Sequence, residues 1–146
     1  RASRLPGLDG AKMSKSYNNS IAIREDKASL EQKVKRMPTD PARVKRTDAG
    51  DPARCPVWEF HKVYSTPEVR GWVEQGCKSA GIGCLDCKQP VIDGMLQEQQ
   101  PMLARAEPYV SNPRIVRDIV DAGTERARVV ARETMRDVRE AMGLNY

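Results

Sequence analysis

The stretch PVWEFHKVYSTPEVRGWVEQG, residues 56–76, has the pattern of two short helices that follow each other directly. Pro56 stands at a first helical position, where its missing N–H costs nothing because that donor has no partner within a helix. Thr66 is a typical N-cap, Pro67 repeats the same start, and Gly76 is typical of a helix end. The stretch therefore predicts a helix over PVWEFHKVYS and a second helix over TPEVRGWVEQG.

The chain beyond these two helices predicts more helix. A third helix is expected over residues 88–106, and a fourth, the longest, over residues 111–143. On the fourth, apolar residues recur within one broad stripe at 100° per residue: Ile119, Val120, Ala127, Val130, Ala131, Val138, Ala141 and Met142. No strand pattern of comparable strength occurs. We therefore predict a mainly α fold in which residues 51–146 form a small helical bundle.

The chain before residue 56 is more irregular. Residues 1–24 contain glycine and asparagine at positions typical of a loop with brief extended pieces. A helix is predicted to begin after Asp26, which can cap it, and its apolar face comprises Leu30, Val34 and Met37. Residues 38–55, PTDPARVKRTDAGDPARC, should then be a linker, because proline interrupts helices. We expect a domain boundary near residue 50, dividing residues 1–50 from residues 51–146.

Composition favours a globular domain with a phosphate-rich partner. Of the 146 residues, 39% are hydrophobic and 31% are charged, and no apolar run is long enough to span a membrane. Residues 1–50 carry 12 Lys and Arg against 6 Asp and Glu, whereas residues 51–110 carry 6 against 8. This basic surplus suits a polyanion such as RNA or a nucleotide, although a solvated basic surface explains it equally well.

The loop GLDGAKMSKSYNNS, residues 7–20, carries two lysines among small residues. The ammonium groups of Lys12 and Lys15 are compact charges that can follow phosphates as negative charge builds on a leaving pyrophosphate. Ser14 and Ser16 add hydroxyl donors. An ordinary solvated loop remains the simpler interpretation of these residue types alone.

The letters KMSKS at residues 12–16 resemble the signature loop of the class I aminoacyl-tRNA synthetases. The longer stretch LPGLDGAKMSKSYNNSI and the later VKRMPTDPAR are similar to the tryptophanyl-tRNA synthetases, with the tyrosine enzymes as a close variant. The resemblance implies that Lys12 and Lys15 contact ATP phosphates and pyrophosphate. It also implies that the nucleotide lies against the whole motif: Lys12, Met13, Ser14, Lys15 and Ser16.

The resemblance has further implications. The chain has one histidine, His61, and nothing like the HIGH-type motif of the N-terminal Rossmann domain, so we expect a C-terminal fragment that is inactive alone. The parent would be a cytoplasmic homodimer that uses ATP with Mg²⁺, tryptophan and tRNA. We expect His61 at the surface or in a supporting position behind a functional residue, and assign it no role.

Four cysteines, Cys55, Cys77, Cys84 and Cys87, have the spacing C-x21-C-x6-C-x2-C. The last pair can turn both thiolates to one centre, as in zinc and iron–sulfur sites, and the glycines before it allow a loop to wrap such a group. Free apolar thiols are the competing interpretation. Some bacterial members of the family carry a [4Fe-4S] cluster on a similar pattern, so the resemblance implies this cluster, with zinc as the alternative and disulfides disfavoured in a reducing cytosol.

Candidate RNA contacts lie in two places. In the family the helical domain reads the anticodon, and the residues nearest the cysteines, Lys78, Lys88 and Gln89, are the candidates for base contact. The last helix carries an arginine stripe, which an ordinary salt-bridged exterior explains equally well: Arg128, Arg132, Arg136 and Arg139. The aromatic residues of the first two helices are expected in the core: Trp58, Phe60, Tyr64 and Trp72.

Two rival functions remain from the sequence. One is a non-catalytic RNA-binding module with a metal or iron–sulfur site that shares the loop. The other is an electron carrier, whose cluster should cycle reversibly. Reduction potential and activity would separate these functions, because a structural cluster should not affect function when its redox state changes.

Overall fold

The structure, a computed structural model, describes residues 5–144. Within them the chain forms five α-helices and two short 3-10 helices, and the nearest approach to a sheet is an isolated antiparallel bridge between Pro6 and Lys12. The mainly α prediction is confirmed. The α-helices are α1 (Lys27–Arg36), α2 (Pro56–Tyr64), α3 (Pro67–Lys78), α4 (Cys84–Ser111) and α5 (Pro113–Ala141), and the 3-10 helices are Lys15–Tyr17 and Pro52–Arg54.

The helix starts follow the capping chemistry of the sequence. Asp26 accepts a hydrogen bond from the Ser29 amide at 2.9 Å at the start of α1, and Thr66 accepts one from Val69 at the start of α3. These caps satisfy amide donors that the first turn of a helix leaves without partners. The predicted starts of α1, α2 and α3 are therefore confirmed.

Two helices extend beyond their predicted ends. Helix α3 continues past Gly76 to Lys78, and Ile82 packs against the bare Cα of Gly76, where a methyl group would lie 2.8 Å from the Ile82 side chain. Helix α4 starts at Cys84 rather than at residue 88, with the Asp86 carboxylate accepting a hydrogen bond from the Gly83 amide. The glycines around residue 81 therefore form a short turn, and Cys84 and Cys87 lie on the first turn of a helix instead of a wrapping loop.

The chain divides into two compact units, one ending at Leu103 and the other beginning at Ala104. This division differs from the boundary expected near residue 50, because residues on both sides of that point share one core. That core is made of Leu30, Val34, Met37, Val57, Phe60, Val91, Ile92 and Met95. The predicted apolar face of α1 is confirmed as part of it.

The second unit contains the end of α4 and all of α5, and α5 has no buried residue among those described. Its predicted apolar stripe is therefore exposed, with Val130 64% and Met142 66% accessible. Of the four aromatic residues expected in the core, Phe60 is buried, Trp58 and Tyr64 are half-buried, and Trp72 is exposed on α3. Among residues 5–144, none of the helices combines the length and the hydropathy that crossing a membrane requires.

Candidate functional site

The lysine loop is folded around one buried asparagine, Asn19, which is only 3% exposed. Its amide nitrogen donates to the Asp9 carboxylate at 2.8 Å and to the Lys12 carbonyl at 3.0 Å, and its amide oxygen accepts from the Ser14 amide at 2.8 Å. Its backbone carbonyl accepts from the Leu8 amide. Both branches of the loop are therefore held by one side chain, and these bonds also lower the pKa of Asp9, chiefly through Asn19.

The motif residues occupy distinct positions on this frame. Lys12 and Lys15 are both exposed, and neither forms an ion pair within residues 5–144. Ser14 caps the 3-10 helix that Lys15 begins, its hydroxyl accepting from the Ser16 amide at 3.3 Å. Met13 instead lines an apolar cavity of about 280 Å³ with ten other residues of the first unit. The ammonium groups thus face solvent from a fixed backbone.

An ion pair connects the end of the loop to α1. Lys33 donates to the Glu25 carboxylate at 2.7 Å and to the Ser20 carbonyl at 3.3 Å, and the Ser29 hydroxyl donates to Glu25 at 2.6 Å. These donors lower the pKa of Glu25 to about 2, with the Lys33 hydrogen bond as the largest cause. The Lys33–Glu25 ion pair therefore fixes the end of the loop to α1.

The four cysteines line one small cavity of about 20 Å³. Three helix ends bring them there. Cys55 precedes the first turn of α2, Cys77 lies in the last turn of α3, and Cys84 and Cys87 lie in the first turn of α4. The cavity has about the volume of a single water, and the four-cysteine metal centre stays a prediction.

Two buried cations line the same cavity. Lys88 is 3% exposed, and its ammonium donates to the carbonyls of Lys35 and Met37, each at 2.7 Å. Arg43 is 9% exposed and donates to the Ile82 carbonyl at 2.5 Å, with a second nitrogen 4.0 Å from Cys77 Sγ. Asp40 also lines the cavity and is paired with Arg54 at 3.1 Å. Two cations and one carboxylate therefore lie around the thiols.

Burial, in contrast, opposes deprotonation of the free thiols. It raises the pKa of Cys55 and Cys77, and it raises the pKa of Cys87 to about 12 with help from the neighbouring thiols. A bound metal reverses this balance because coordination deprotonates a thiol outright. Without such a group, burial keeps Cys55, Cys77 and Cys87 protonated at neutral pH.

The four thiols are the donor types of a four-thiolate group, but their arrangement in the structure does not fit one. A methyl group at Gly50 would lie 2.8 Å from Cys77 Sγ, so only glycine allows the backbone to approach this sulfur so closely. Within residues 5–144, however, no three or more His, Cys, Asp or Glu side chains are arranged to hold a metal ion. The donors are correct in number and type, and the cavity has to widen before it can enclose a cluster.

His61 lies beside this site and is fully buried, which corrects the expectation of a surface position. Its Nε2 lies 3.4 Å from Cys87 Sγ, and its Nδ1 lies 2.8 Å from the Ser65 hydroxyl. Burial lowers the pKa of His61 to about 4, so the ring is neutral at pH 7.

The three candidate RNA residues have different environments. Lys78 is exposed and pairs with Glu74 at 2.6 Å, and Gln89 is exposed and donates to Asp93 at 2.9 Å. Lys88 is buried with its ammonium on two carbonyls, which differs from the expectation that it contacts RNA. Because the Lys88 side chain is buried, its ammonium lies at the end of α1, where a phosphate or base cannot reach it.

The arginine stripe of α5 carries exposed ion pairs. Arg128 and Arg132 both lie near Glu125, at 3.5 and 3.6 Å, and Arg136 pairs with Asp137 at 3.0 Å. Pairs of this kind at full exposure contribute little to stability. The salt-bridged exterior that competed with RNA binding in the sequence is the arrangement found along this face.

Sequence reasoning missed Asn19, Arg43 and His61, which are all polar and buried. Nothing in the hydrophobic pattern identifies a buried polar residue. Arg43 and His61 contact residues far along the chain, whereas the partners of Asn19 lie within its own loop. The signal for Asn19 was present in the SYNN that follows the lysines. The signal for His61 was its place among the aromatic residues of α2, the helix that directly follows Cys55.

Comparison with known proteins gives consistent matches. The sequence family described as tRNA synthetases class I (W and Y) matches residues 2–96. A tryptophan–tRNA ligase from Ralstonia nicotianae is 66% identical over 145 residues, covering 99% of this chain and 36% of the relative. A tryptophan–tRNA ligase from Thermotoga maritima is 44% identical over 147 residues, covering 100% of this chain and 45% of the relative.

The fold is also similar to a solved structure. A crystal structure of tryptophanyl-tRNA synthetase from Campylobacter jejuni in complex with ADP and tryptophan superposes with a TM-score of 0.80 at 25% identity. The match covers 97% of this chain and 44% of that protein. The chain thus spans less than half the length of these relatives. With its KMSKS loop, its helical fold and these matches, the chain belongs to the class I tRNA synthetase family of the tryptophan and tyrosine enzymes.

Proposed function

We propose that the chain is the part of a tryptophan–tRNA ligase that binds ATP phosphates through the KMSKS loop and faces tRNA with its helices. The complete ligase activates tryptophan with ATP and Mg²⁺, releases pyrophosphate, and transfers the aminoacyl group to its tRNA. The observation that carries the proposal is the loop itself, in which Asn19 fixes the backbone while Lys12 and Lys15 remain exposed and unpaired among the described residues. The identity of 66% to a tryptophan–tRNA ligase supports tryptophan as the amino acid.

In this role the two lysines neutralise the leaving pyrophosphate. Negative charge increases on the leaving phosphates during adenylate formation, so cations held near them stabilise the transition state more than the bound substrate. The backbone and hydroxyls of Ser14 and Ser16 add hydrogen-bond donors, and Met13 anchors the loop in the apolar cavity beneath it. Because Asn19 already holds the loop backbone, the two ammonium groups need little reorganisation during the reaction.

Lys15→Ala in the complete ligase tests this proposal. We expect adenylate formation, followed by tryptophan-dependent ATP–pyrophosphate exchange, to slow by roughly 10²–10³-fold, the usual loss for one transition-state contact. The affinity for tRNA, measured by filter binding, should not change. Lys45→Ala, which removes an exposed lysine from the linker, is the matched control and should leave both quantities unaltered. Equal losses of exchange and tRNA affinity in Lys15→Ala would reject the role in pyrophosphate release.

For the cysteines we propose a [4Fe-4S] cluster held by Cys55, Cys77, Cys84 and Cys87, with zinc as the alternative. Four thiols on one cavity and the buried cations Arg43 and Lys88 support an anionic tetrathiolate group. The preference for iron and sulfide over zinc rests on the family resemblance. Such a group, when bound, supplies metal–thiolate bonds that join the ends of α2, α3 and α4.

Cys84→Ser tests the cluster and its link to RNA. In complete ligase purified without oxygen, we expect the wild type to show visible absorbance with iron and sulfide, and the variant to lose them, because serine replaces a thiolate ligand. Binding of tRNA should weaken while tryptophan activation continues. Normal tRNA affinity in a variant that has lost its iron would contradict a role for the cluster in recognition.

The remaining assignments belong to the complete ligase. Lys78 and Gln89, both exposed close to the cysteine segment, are the proposed contacts to anticodon bases. Single-stranded bases offer hydrogen-bonding edges to such side chains. The ligase is proposed to act as a cytoplasmic homodimer, as the family resemblance implies.

A further inference from the structure

The Asp9 carboxylate connects the turn at residues 7–11 to the rest of the lysine loop, and the proposed function gives it no role. Its Oδ1 accepts from the Ala11 amide at 3.0 Å and from the Asn19 side-chain nitrogen at 2.8 Å. The bond to Ala11 holds the carboxylate on its own turn, whereas the bond to Asn19 reaches ten residues along the chain. Asp9 therefore joins the two branches of the loop.

The other hydrogen bonds of the Asn19 side chain lie within the lysine motif. Its nitrogen donates to the Lys12 carbonyl at 3.0 Å, and its oxygen accepts from the Ser14 amide at 2.8 Å. An ionised carboxylate can only accept a hydrogen bond, so the NH₂ group of Asn19 must face Asp9. The reversed amide would place oxygen against oxygen at Asp9 and N–H against N–H at Ser14. Asp9 thus favours the orientation in which the Asn19 amide holds the motif.

The turn that carries Asp9 is closed by its own backbone. The Gly7 amide donates to the Ala11 carbonyl at 2.6 Å, and the Gly10 amide donates to the Gly7 carbonyl at 2.9 Å. Gly10 has a φ of 84°, in the left-handed region that favours glycine, and a methyl group at Gly7 would overlap the Asn19 amide. The turn therefore presents the carboxylate to Asn19 from a fixed backbone.

A carboxylate in a loop that binds phosphates opposes that binding, because like charges repel. As an acceptor, however, its ionised oxygen forms a stronger hydrogen bond than a neutral oxygen does. We infer that Asp9 is a positioning residue for pyrophosphate release, which acts through Asn19 on the backbone of residues 12–14 and so places the ammonium groups of Lys12 and Lys15. The inference rests on the proposed role of these lysines, and it assigns Asp9 no contact with ATP.

Asp9→Ala in the complete ligase tests the inference by removing the acceptor. Asp9 is exposed and lies outside the hydrophobic core, so the variant should fold. We expect kcat for tryptophan-dependent ATP–pyrophosphate exchange to fall roughly tenfold, because displaced lysines lose contacts that strengthen in the transition state. KM for ATP should change less than about twofold, since the loss falls on the transition state rather than on the bound substrate.

Two further variants show whether the hydrogen bond is the cause. Asp9→Asn keeps an oxygen that can accept from Asn19 and should retain at least about a third of the wild-type kcat, since a neutral acceptor forms a weaker bond. Asp48→Ala is the matched control. The Asp48 carboxylate also accepts from backbone amides of a turn, those of Val44 and Lys45, but it lies in the linker and should leave kcat unchanged.

A double variant shows whether Asp9 acts through the lysines. Asp9→Ala should reduce kcat by a smaller factor in a ligase that already carries Lys15→Ala than in the wild type, because part of what Asp9 positions is then absent. Losses that multiply fully in the double variant would overturn the inference, since Asp9 would then act independently of Lys15.

The remaining outcomes separate this inference from the proposed function. If Lys15→Ala leaves exchange unchanged, the role of the loop in pyrophosphate release fails and the inference fails with it. If Lys15→Ala slows exchange and Asp9→Ala does not, the inference alone is overturned. Equal losses in Asp9→Ala and Asp9→Asn also overturn it, because the charge rather than the hydrogen bond would be the cause. A loss in Asp9→Ala that Asp9→Asn largely avoids supports it.

Discussion

In each of the two candidate functional regions, one buried polar side chain binds several neighbouring groups. Asn19 organises the lysine loop by binding both of its branches, and Lys88 ties the cysteine site to the carbonyls at the end of α1. Each is hydrogen-bonded by partners that satisfy it, as burial of a polar group requires. Removing one of these side chains would leave several buried groups without partners, which costs more than the loss of one exposed contact.

Glu25 gives a prediction at this scale. The pKa of Glu25 is about 2 in the folded chain, below its usual value of 4.5, so its contribution to stability is present above about pH 4.5 and is lost as the pH falls toward 2. Glu25→Gln should therefore lower the free energy of unfolding at pH 7 by roughly 1–2 kcal/mol, a figure reduced for the partial exposure of Lys33. Urea unfolding across this pH range measures the difference, which should vanish near pH 2.

Glu31→Gln on the same helix is the matched control. Glu31 pairs with Lys35 at 3.4 Å on the surface of α1, and exposed helix pairs contribute only a few tenths of a kcal/mol. If the two variants had the same pH dependence, the Lys33–Glu25 pair would not be the anchor of the loop.

At the scale of elements, the site depends on where helices begin and end. The cysteines come together because the start of α2, the end of α3 and the start of α4 meet at one cavity. Helix α4 also crosses the end of α2 closely. A methyl group at Gly94 would lie 2.5 Å from the Tyr64 carbonyl oxygen, so glycine is what allows the two backbones to approach.

Two glycine-to-alanine changes should therefore have opposite effects. Gly94→Ala should destabilise the chain by roughly 1–3 kcal/mol, because the new methyl group meets a backbone atom that cannot move aside. Gly71→Ala, on α3 with open space around it, should stabilise the chain by about 0.5–1 kcal/mol through helix propensity. Thermal or urea unfolding of both variants measures the difference. Stabilisation by Gly94→Ala would show that α2 and α4 are not in close contact.

Capping residues made the helix starts predictable, whereas helix ends depended on packing. Asp26 and Thr66 act within three residues of themselves, so their effect can be derived from local sequence. Gly76 carries the local signal of a helix end, but the contact with Ile82 turns it into an internal packing position. The short turn before Cys84 likewise depends on Asp86 reaching back to Gly83, which glycine-rich composition did not indicate.

At the scale of the whole molecule, the hydrophobic core belongs to one of the two units. Every member of the core lies between Leu30 and Met95, on α1, α2, α4 and the residue that follows α1. The unit that begins at Ala104 has no buried residue among those described. The core thus packs directly beneath the loop and beside the cysteine cavity.

Truncation tests whether the hydrophobic core lies entirely in the first unit. Residues 1–103 alone should unfold in a cooperative thermal transition followed by circular dichroism, because they contain the complete core. Residues 104–146 alone should lose helix gradually, since isolated helices without a packed face are marginal in water. A cooperative transition in residues 104–146, or its absence in residues 1–103, would contradict this division.

The sequence by itself determined the helical class, most helix starts and the lysine loop, and it predicted a common site for the four cysteines. These properties depend on caps, prolines, motif letters and spacing, which act over a few residues or through the family resemblance. Only the tertiary structure decided that Lys88 is buried rather than available to RNA, that His61 lies beside Cys87, and that the compact unit extends to Leu103. Burial and hydrogen bonding at these positions depend on partners tens of residues away, and no local pattern encodes them.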